Sequence, residues 1–324
     1  MKRSQANLAN ISSNPIQQEF FEDVIEGLSK YPKSLPSKYF YDESGSRLFE
    51  EICALEEYYL TRMEVALLQS IRGQLASLIG PNAAIIEPGA GAGIKIQILL
   101  ETLHAPALYA PLDISEDFLI ESSQRMQQRF PRLRILPISG DFTQPRDWPR
   151  MANTDRRIVF FPGSTLGNFA APEAVSFLKN MRTLCGNRGA MILGVDMVKE
   201  VEILEAAYND KNGVTAAFNK NLLLRINHEL GGDFNPERFA HKAFFNPRDS
   251  RIEMHLESRI EHHVKIGGRA FLIRQSERIH TENSHKFTLE SIHALTQQAG
   301  FGCRTHWMDD KKYFSIHFLE PIPI

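Results

Sequence analysis

Three cysteines in 324 residues, Cys53, Cys185 and Cys303, are too few and too scattered for a disulfide framework, and they argue against a thiolate zinc site. A reducing compartment is expected. No run approaches the 18 apolar residues of a membrane span, and MKRSQANLANISSN lacks the apolar core of a secretory leader, so a cytoplasmic location is expected. Neither sign of charge dominates: 37 Lys and Arg stand against 39 Asp and Glu, a formal net charge of −2 with no general pull toward nucleic acid or an anionic membrane. Internal repeats and low-complexity tracts are also missing. These absences leave a globular chain that favours a small-molecule partner and is expected to be a monomer. Its length suits one large domain with an insertion, or two domains.

What is present is organised around Ala84 to Ile94, AIIEPGAGAGI. A short apolar run of the kind a buried parallel strand needs is followed by Gly89, Gly91 and Gly93, and a helical pattern begins at Ile94. Glycine permits positive φ and removes the Cβ, so a ligand can lie against bare backbone beside the first amides of the next helix. The G-x-G-x-G spacing is not the G-x-G-x-x-G of a dinucleotide cradle. Glu87 precedes the turn where Rossmann-like S-adenosylmethionine enzymes place an acid for the amino acid end of their cofactor. Asp113 follows the next apolar segment at the distance suited to a ribose diol. Asp141, after RILPISGDF, can accept from an adenine amino group with Phe142 against the ring. Each acid alone is as readily a loop cap; three at successive strand ends match the place where open α/β sheets bind ligands.

From 84 to 196 the pattern alternates, with strands expected at 84–87, 108–112, 133–138, 157–161 and 190–195 and helices at 94–104, 116–129 and 172–184. This is a doubly wound α/β sheet. Upstream, residues 1–15 are polar and expected to be loose; a helical pattern runs through Phe20 to Leu28, and an aromatic stretch carries Tyr39, Phe40, Tyr41, Phe49, Tyr58 and Tyr59. Thr61 and Glu64 have capping-box spacing, which predicts a helix from Arg62 to about Leu78. Downstream, 197–215 reads as helical. RIEMHLESRIEHHVKI, a Gly267-Gly268 turn and RAFLIRQSERIHTE read as one long hairpin, with Met254 opposite Thr281 and close to Glu282. Adjacent His262 and His263 point to opposite strand faces, and no metal site is expected. Thr288 can cap a helix over 289–299, before two closing strands. The strand end FFPGSTLGNF lacks the Asn/Asp-Pro-Pro-aromatic motif of DNA-base methyltransferases, which further demotes a nucleic acid substrate.

FYDESGSRLFEEICALEEYYLTR, EPGAGAG, PGSTLGNF, GVDMVKEVEILEAAYNDKNGVTAAFNKNLL, RIEMHLES and HTENSHKF together resemble the histidine-specific Nα-methyltransferases of ergothioneine biosynthesis, over about residues 18–320. The resemblance implies a Rossmann-like class I methyltransferase core, a seven-stranded sheet with its last strand antiparallel, plus an inserted α+β substrate-binding domain. The expected division is 1–60 as the N-terminal helical part of the substrate domain, 61–196 as core, 197–286 as insertion and 287–324 as the end of the core. It implies trimethylation of the α-amine of L-histidine to hercynine with S-adenosyl-L-methionine as cofactor. By position it assigns the substrate carboxylate to Asn168 and Tyr208, the imidazole to Tyr58, Glu282 and Ser284, the reacting amine to Tyr41 and Phe49, and the side-chain pocket to Met254. The implied cofactor set is Gly89, Lys95, Asp113, Asp141 and Phe142, to which the turn itself adds Glu87 and Gly91. The family's Pro-Tyr-Tyr-Pro context is here Glu56-Glu57-Tyr58-Tyr59-Leu60, and its glycine pair is Gly163-Ser164, which leaves the shape of the substrate pocket open. Alternatives are a methyltransferase of the same fold acting on another small amine or an indole relative, a non-catalytic cofactor-binding scaffold and, more distantly, a nicotinamide oxidoreductase.

Overall fold

A strand that is buried along its whole length needs helices on both faces of its sheet, and Ala83–Pro88 is such a strand. The computed structural model describes residues 15–91, 93–144, 148, 151 and 154–323. Most of the N-terminal segment expected to be loose lies outside them. In chain order the elements are α1 (Pro15–Ser29), β1 (Lys33–Ser34), α2 (Glu43–Ala54), α3 (Tyr59–Ile79), β2 (Ala83–Pro88), α4 (Ile94–Leu100), β3 (Leu108–Asp113), α5 (Glu116–Arg129), β4 (Ile138–Ser139), β5 (Arg156–Phe161), α6 (Ala171–Cys185) and β6 (Ala190–Asp196). They continue as α7 (Val201–Ala206), α8 (Val214–Leu230), β7 (Phe239–Asn246), β8 (Arg251–Ser258), β9 (His262–Ile266), β10 (Arg269–Ile273), β11 (Arg278–His285), α9 (Leu289–Gln298), β12 (Phe301–Met308) and β13 (Phe314–Pro321).

Two compact units result, one from Tyr59–Lys199 with Ser284–Ile324, the other from Met1–Tyr58 with Glu200–Asn283. The first holds a seven-stranded sheet in the order β12-β13-β6-β5-β2-β3-β4. Strands β6, β5, β2, β3 and β4 run parallel, and β13 is antiparallel to both of its neighbours. Period-two alternation splits the apolar side chains between two cores: Ala84, Ile86, Val159 and Phe161 face one, Ala83, Ile85, Ile158 and Phe160 the other. The expected strand over 133–138 contracts to β4, with one bridge from Tyr109 to Ile135. Pro137, which has no N–H to give a ladder, interrupts it.

The second unit has a sheet in the order β1-β11-β8-β7 and a separate β9-β10 ribbon. The long hairpin of the sequence reading is therefore broken in two, yet its register survives. Arg269 pairs with Ile266 across the Gly267-Gly268 turn, Ser258 N donates to Glu277 O, and Thr281 Oγ1 lies 3.0 Å from Met254 O. The break falls between β10 and β11, where Arg274 to Glu277 close a turn on themselves, Arg274 N donating to Glu277 Oε2 and Glu277 N to Arg274 O, with Ser276 at a φ of 62°. The helical expectation over 197–215 resolves into the short α7 and the start of α8, separated by Asp210, whose carboxylate accepts from Val214 N and Thr215 N at 2.9 and 2.8 Å.

Candidate functional site

In the sheet unit the chain leaving β2 turns through Gly89, Gly91 and Gly93 at φ of 68°, 50° and 74°. Gly89 N and Ala90 N donate to Leu112 O at 2.7 and 3.1 Å, which locks the turn to the end of β3. A Cβ on Gly89 would lie 3.3 Å from the edge of the Phe142 ring, whereas one on Gly91 would meet open space. Asp113, ending β3, accepts from Gly91 N and Ser115 N at 3.1 Å each. Burial raises its carboxyl above the usual range, against these backbone donors. Asp141 Oδ1 accepts from Thr143 N and Oγ1 at 2.8 and 2.6 Å, and Phe142 packs edge-on against Phe161 and Phe177. Gly89, Gly91, Asp113, Asp141 and Phe142 thus gather around the carboxyl ends of β2, β3 and β4.

Glu87 sits deeper. It is 2% exposed and accepts from the Tyr109 hydroxyl, a partner from the adjacent parallel strand. Burial pushes its carboxyl up to about 8, with Tyr109 and Lys95 pulling the other way. Lys95, in the first turn of α4, forms an ion pair of 2.5 Å with Glu64, whose carboxylate also accepts from Gly163 N at 2.9 Å. This corrects the capping box: α3 begins at Tyr59, and Glu64 is a buried acid that holds the chain after β5 rather than a helix cap. Room for it comes from Gly194, where a Cβ would fall 2.2 Å from Glu64 Oε1.

At the end of β6 the same unit buries a charge cluster. Asp196 accepts from the Tyr59 hydroxyl, Lys199 Nζ and Lys286 Nζ, the last at 2.8 Å, and is wholly buried. Burial pulls the Lys199 ammonium down to about 8, with Asp196 opposing and Lys286 assisting. Ser284 Oγ accepts from Lys286 Nζ at 2.9 Å, which ties this expected ligand to the cluster. Asn168 ends a 3-10 turn at Thr165–Asn168, half-buried, and the turn is fixed by His285 Nδ1 and Gly167 O at 2.7 Å.

The other unit gathers the aromatic site residues. Tyr41 and Phe49 meet edge-on at 5.6 Å between centroids, Phe49 and Tyr58 at 6.3 Å, Tyr58 and Tyr208 at 6.2 Å. Phe218 of α8, which the sequence reading missed, touches both Tyr41 and Phe49. Burial raises the Tyr58 phenol far above its ordinary value, helped by Tyr208, Cys53, Tyr41 and the nearby Glu282. Glu282, on β11, is 9% exposed. Met254 is shut in on β8 at 1% exposure.

Asn219, fully buried on α8, organises this unit. Its Oδ1 accepts from Thr281 Oγ1 at 2.8 Å and its Nδ2 reaches His255 O and His241 Nδ1. Burial keeps His241 below its ordinary value, so the neutral ring accepts at Nδ1 and donates from Nε2 to Tyr208 O at 2.8 Å. Tyr208 is positioned by a residue 33 places away in sequence. The one local signal was an Asn at an apolar-face position of the helical pattern. Aromatic faces beside a buried carboxylate suit a cationic, polar small molecule.

The family described as "Histidine-specific methyltransferase, SAM-dependent" matches residues 20–321. The chain belongs to this family. Histidine N-alpha-methyltransferase of Mycolicibacterium smegmatis is 34% identical, over 94% of this chain and 95% of that protein. Ergothioneine biosynthesis protein 1 of Neurospora crassa is 31% identical over 89% of this chain, which spans 33% of that protein. A 4-dimethylallyltryptophan N-methyltransferase of Claviceps purpurea is 26% identical over 96% of this chain and 97% of that protein. This member of the SAM-dependent histidine-specific methyltransferases has a Rossmann-like α/β core, and its seven-stranded sheet with an antiparallel last strand is the one expected. Its cofactor is S-adenosylmethionine. The substrate is a small molecule. Among the described residues no helix is long and apolar enough to cross a membrane.

Proposed function

We propose that this enzyme transfers methyl groups from S-adenosylmethionine to the α-amine of L-histidine, three in succession, giving hercynine. The observation that carries the proposal is Glu282, a buried carboxylate whose charge reaches Tyr58, in a chain whose family takes histidine as methyl acceptor. A carboxylate that accepts from an imidazole N–H is left as an unpaired buried charge by an apolar side chain, so Glu282 selects histidine by penalising its competitors. Tyr58 lies beside it for the same ring, and Tyr208 is proposed for the substrate carboxylate. Asn168 and Ser284 are proposed ligands on the family resemblance, and Met254 as a wall of the side-chain pocket.

Bound S-adenosylmethionine supplies an electrophilic methyl on its sulfonium. In the sheet unit Gly89 and Gly91 would hold it against bare backbone, Asp113 at the ribose, Asp141 and Phe142 at the adenine, and Glu87 and Lys95 near its amino acid end. The open space over Gly91 and the Asp113 acceptor beside it support that fit. The attacking amine must be neutral, and an amino acid amine is largely an ammonium at neutral pH, so deprotonation accompanies binding. Positioning then contributes most, about 7–11 kcal/mol for a well-aligned displacement. Tyr41 and Phe49 are proposed to hold the nitrogen as it gains methyls and loses hydration, a cation–π contact of about 0.5–2 kcal/mol. The unit carrying these rings is proposed as the substrate-binding part and the sheet unit as the cofactor-binding part, in a cytoplasmic monomer without a nucleic acid or membrane partner.

A panel of amino acids offered with isotopically labelled cofactor tests the reading. Label in histidine, abolished by Glu282→Ala, is the expected result. The 4-dimethylallyltryptophan enzyme among the relatives favours a second reading, an indole amine, which label in tryptophan derivatives but not histidine would establish.

A further inference from the structure

Strands β12 and β13 pair antiparallel, with Cys303 against Leu319 and, beyond a bulge between Cys303 and Thr305, His306 against His317. Residues three apart in a regular strand face opposite ways; the extra residue turns Cys303 and His306 to the same side as His317. Helix α9 covers that side, and His293 is on it. One nitrogen from His293, one from His317 and the Cys303 sulfur all lie within 4.8 Å of one another. His306 stands next to them, its ring 5.6 Å from those of both His293 and His317.

Ser315 Oγ lies 3.0 Å from Met197 Sδ and 2.8 Å from His317 Nε2, so it engages that ring nitrogen and orients the imidazole. The other nitrogen, Nδ1, faces Cys303 Sγ 3.9 Å away. An outer hydrogen bond that orients a histidine in this way accompanies most metal-bound imidazoles. His293 Nε2 is buried and has no hydrogen-bond partner among the described residues.

We propose that His293, Cys303 and His317, with His306 as an adjacent fourth donor, form a binding site for a borderline-soft divalent cation of the zinc type. One thiolate and two or three imidazoles are the ligand set such an ion prefers. Tetrahedral coordination needs donor separations of about 3.3–3.7 Å, which side-chain rotation closes from the present spacing. The cluster takes one donor from α9 and the others from β12 and β13, so its role is to clamp that helix to the hairpin.

The test is zinc stoichiometry after dialysis of the purified protein, followed by the spectrum of the cobalt-substituted form. One zinc per chain and a thiolate-to-cobalt charge-transfer band are expected. Cys303→Ser should abolish the band while leaving the far-ultraviolet circular dichroism intact. His293→Gln, on the half-exposed helix, should weaken zinc binding at least tenfold, and Ser315→Ala, through loss of orientation, by about tenfold. Zinc absent after dialysis, a band that survives Cys303→Ser, or binding lost instead in His255→Gln of the separate Glu253, His255 and His280 cluster would each overturn the proposal.

Discussion

Glu282 and Asp196 are both buried carboxylates, and their surroundings give them different work. Glu282 is buried on β11 near enough to Tyr58 for its charge to act on that phenol, and its replacement is expected to act on turnover. Glu282→Ala should lower kcat/KM for histidine by at least about 100-fold with little change in Tm, measured by steady-state assay and thermal melt. Asp196 instead faces two buried ammoniums, Lys199 and Lys286. Asp196→Asn leaves them without a counter-charge and should cost about 3–5 kcal/mol in urea unfolding. Such residues were barely legible in the sequence. Glu64 read there as half of a capping box and Lys199 and Lys286 drew no role, because the groups that bury such charges come from distant segments, as Gly163 and Lys95 do for Glu64. Tyr109 was read as one more apolar strand residue for the same reason; only the β2–β3 register brings its hydroxyl to Glu87.

At the level of elements, local rules went further. The helix expected over 116–129 forms over those residues, Thr288 caps α9 through Ser291 N, and the Gly267-Gly268 turn sets the expected register. Where expectation failed, a tertiary partner or a local turn intervened: Pro137 just before β4, the turn from Arg274 to Glu277 between β10 and β11, and the pull of Glu64 into the interior of α3's packing face. The glycine turn was visible because its requirement is local. Gly89→Ala would force a Cβ into positive φ and against Phe142, about 1–2 kcal/mol of strain at the ligand-facing backbone. Calorimetry should show S-adenosylmethionine binding at least tenfold weaker in this variant, in a protein that still folds. Of the candidate site, the strand-end acids and glycines were readable from pattern, whereas the substrate residues came from resemblance alone, since aromatic residues in a polar stretch do not announce which rings will meet.

For the whole molecule, Glu87 makes stability pH-dependent in a direction opposite to that of a salt-bridged acid. Its carboxyl rises from the ordinary 4.5 to about 8 on folding, so between these values the unfolded chain has lost a proton that the folded one keeps. Stability from this group is present below about 4.5, falls as pH rises, and is gone above about 8. Glu87→Gln should therefore gain on the wild type across that window, by an amount on the order of 3–5 kcal/mol in urea titrations at its two ends. The central claim concerns chemistry, and mass spectrometry addresses it most directly. Incubation with L-histidine and S-adenosylmethionine should give products heavier by one, two and finally three methyl groups, with fragmentation placing all three on the α-nitrogen. Histidine recovered unmethylated, while the same preparation methylates another amine or binds cofactor without transfer, would contradict the account.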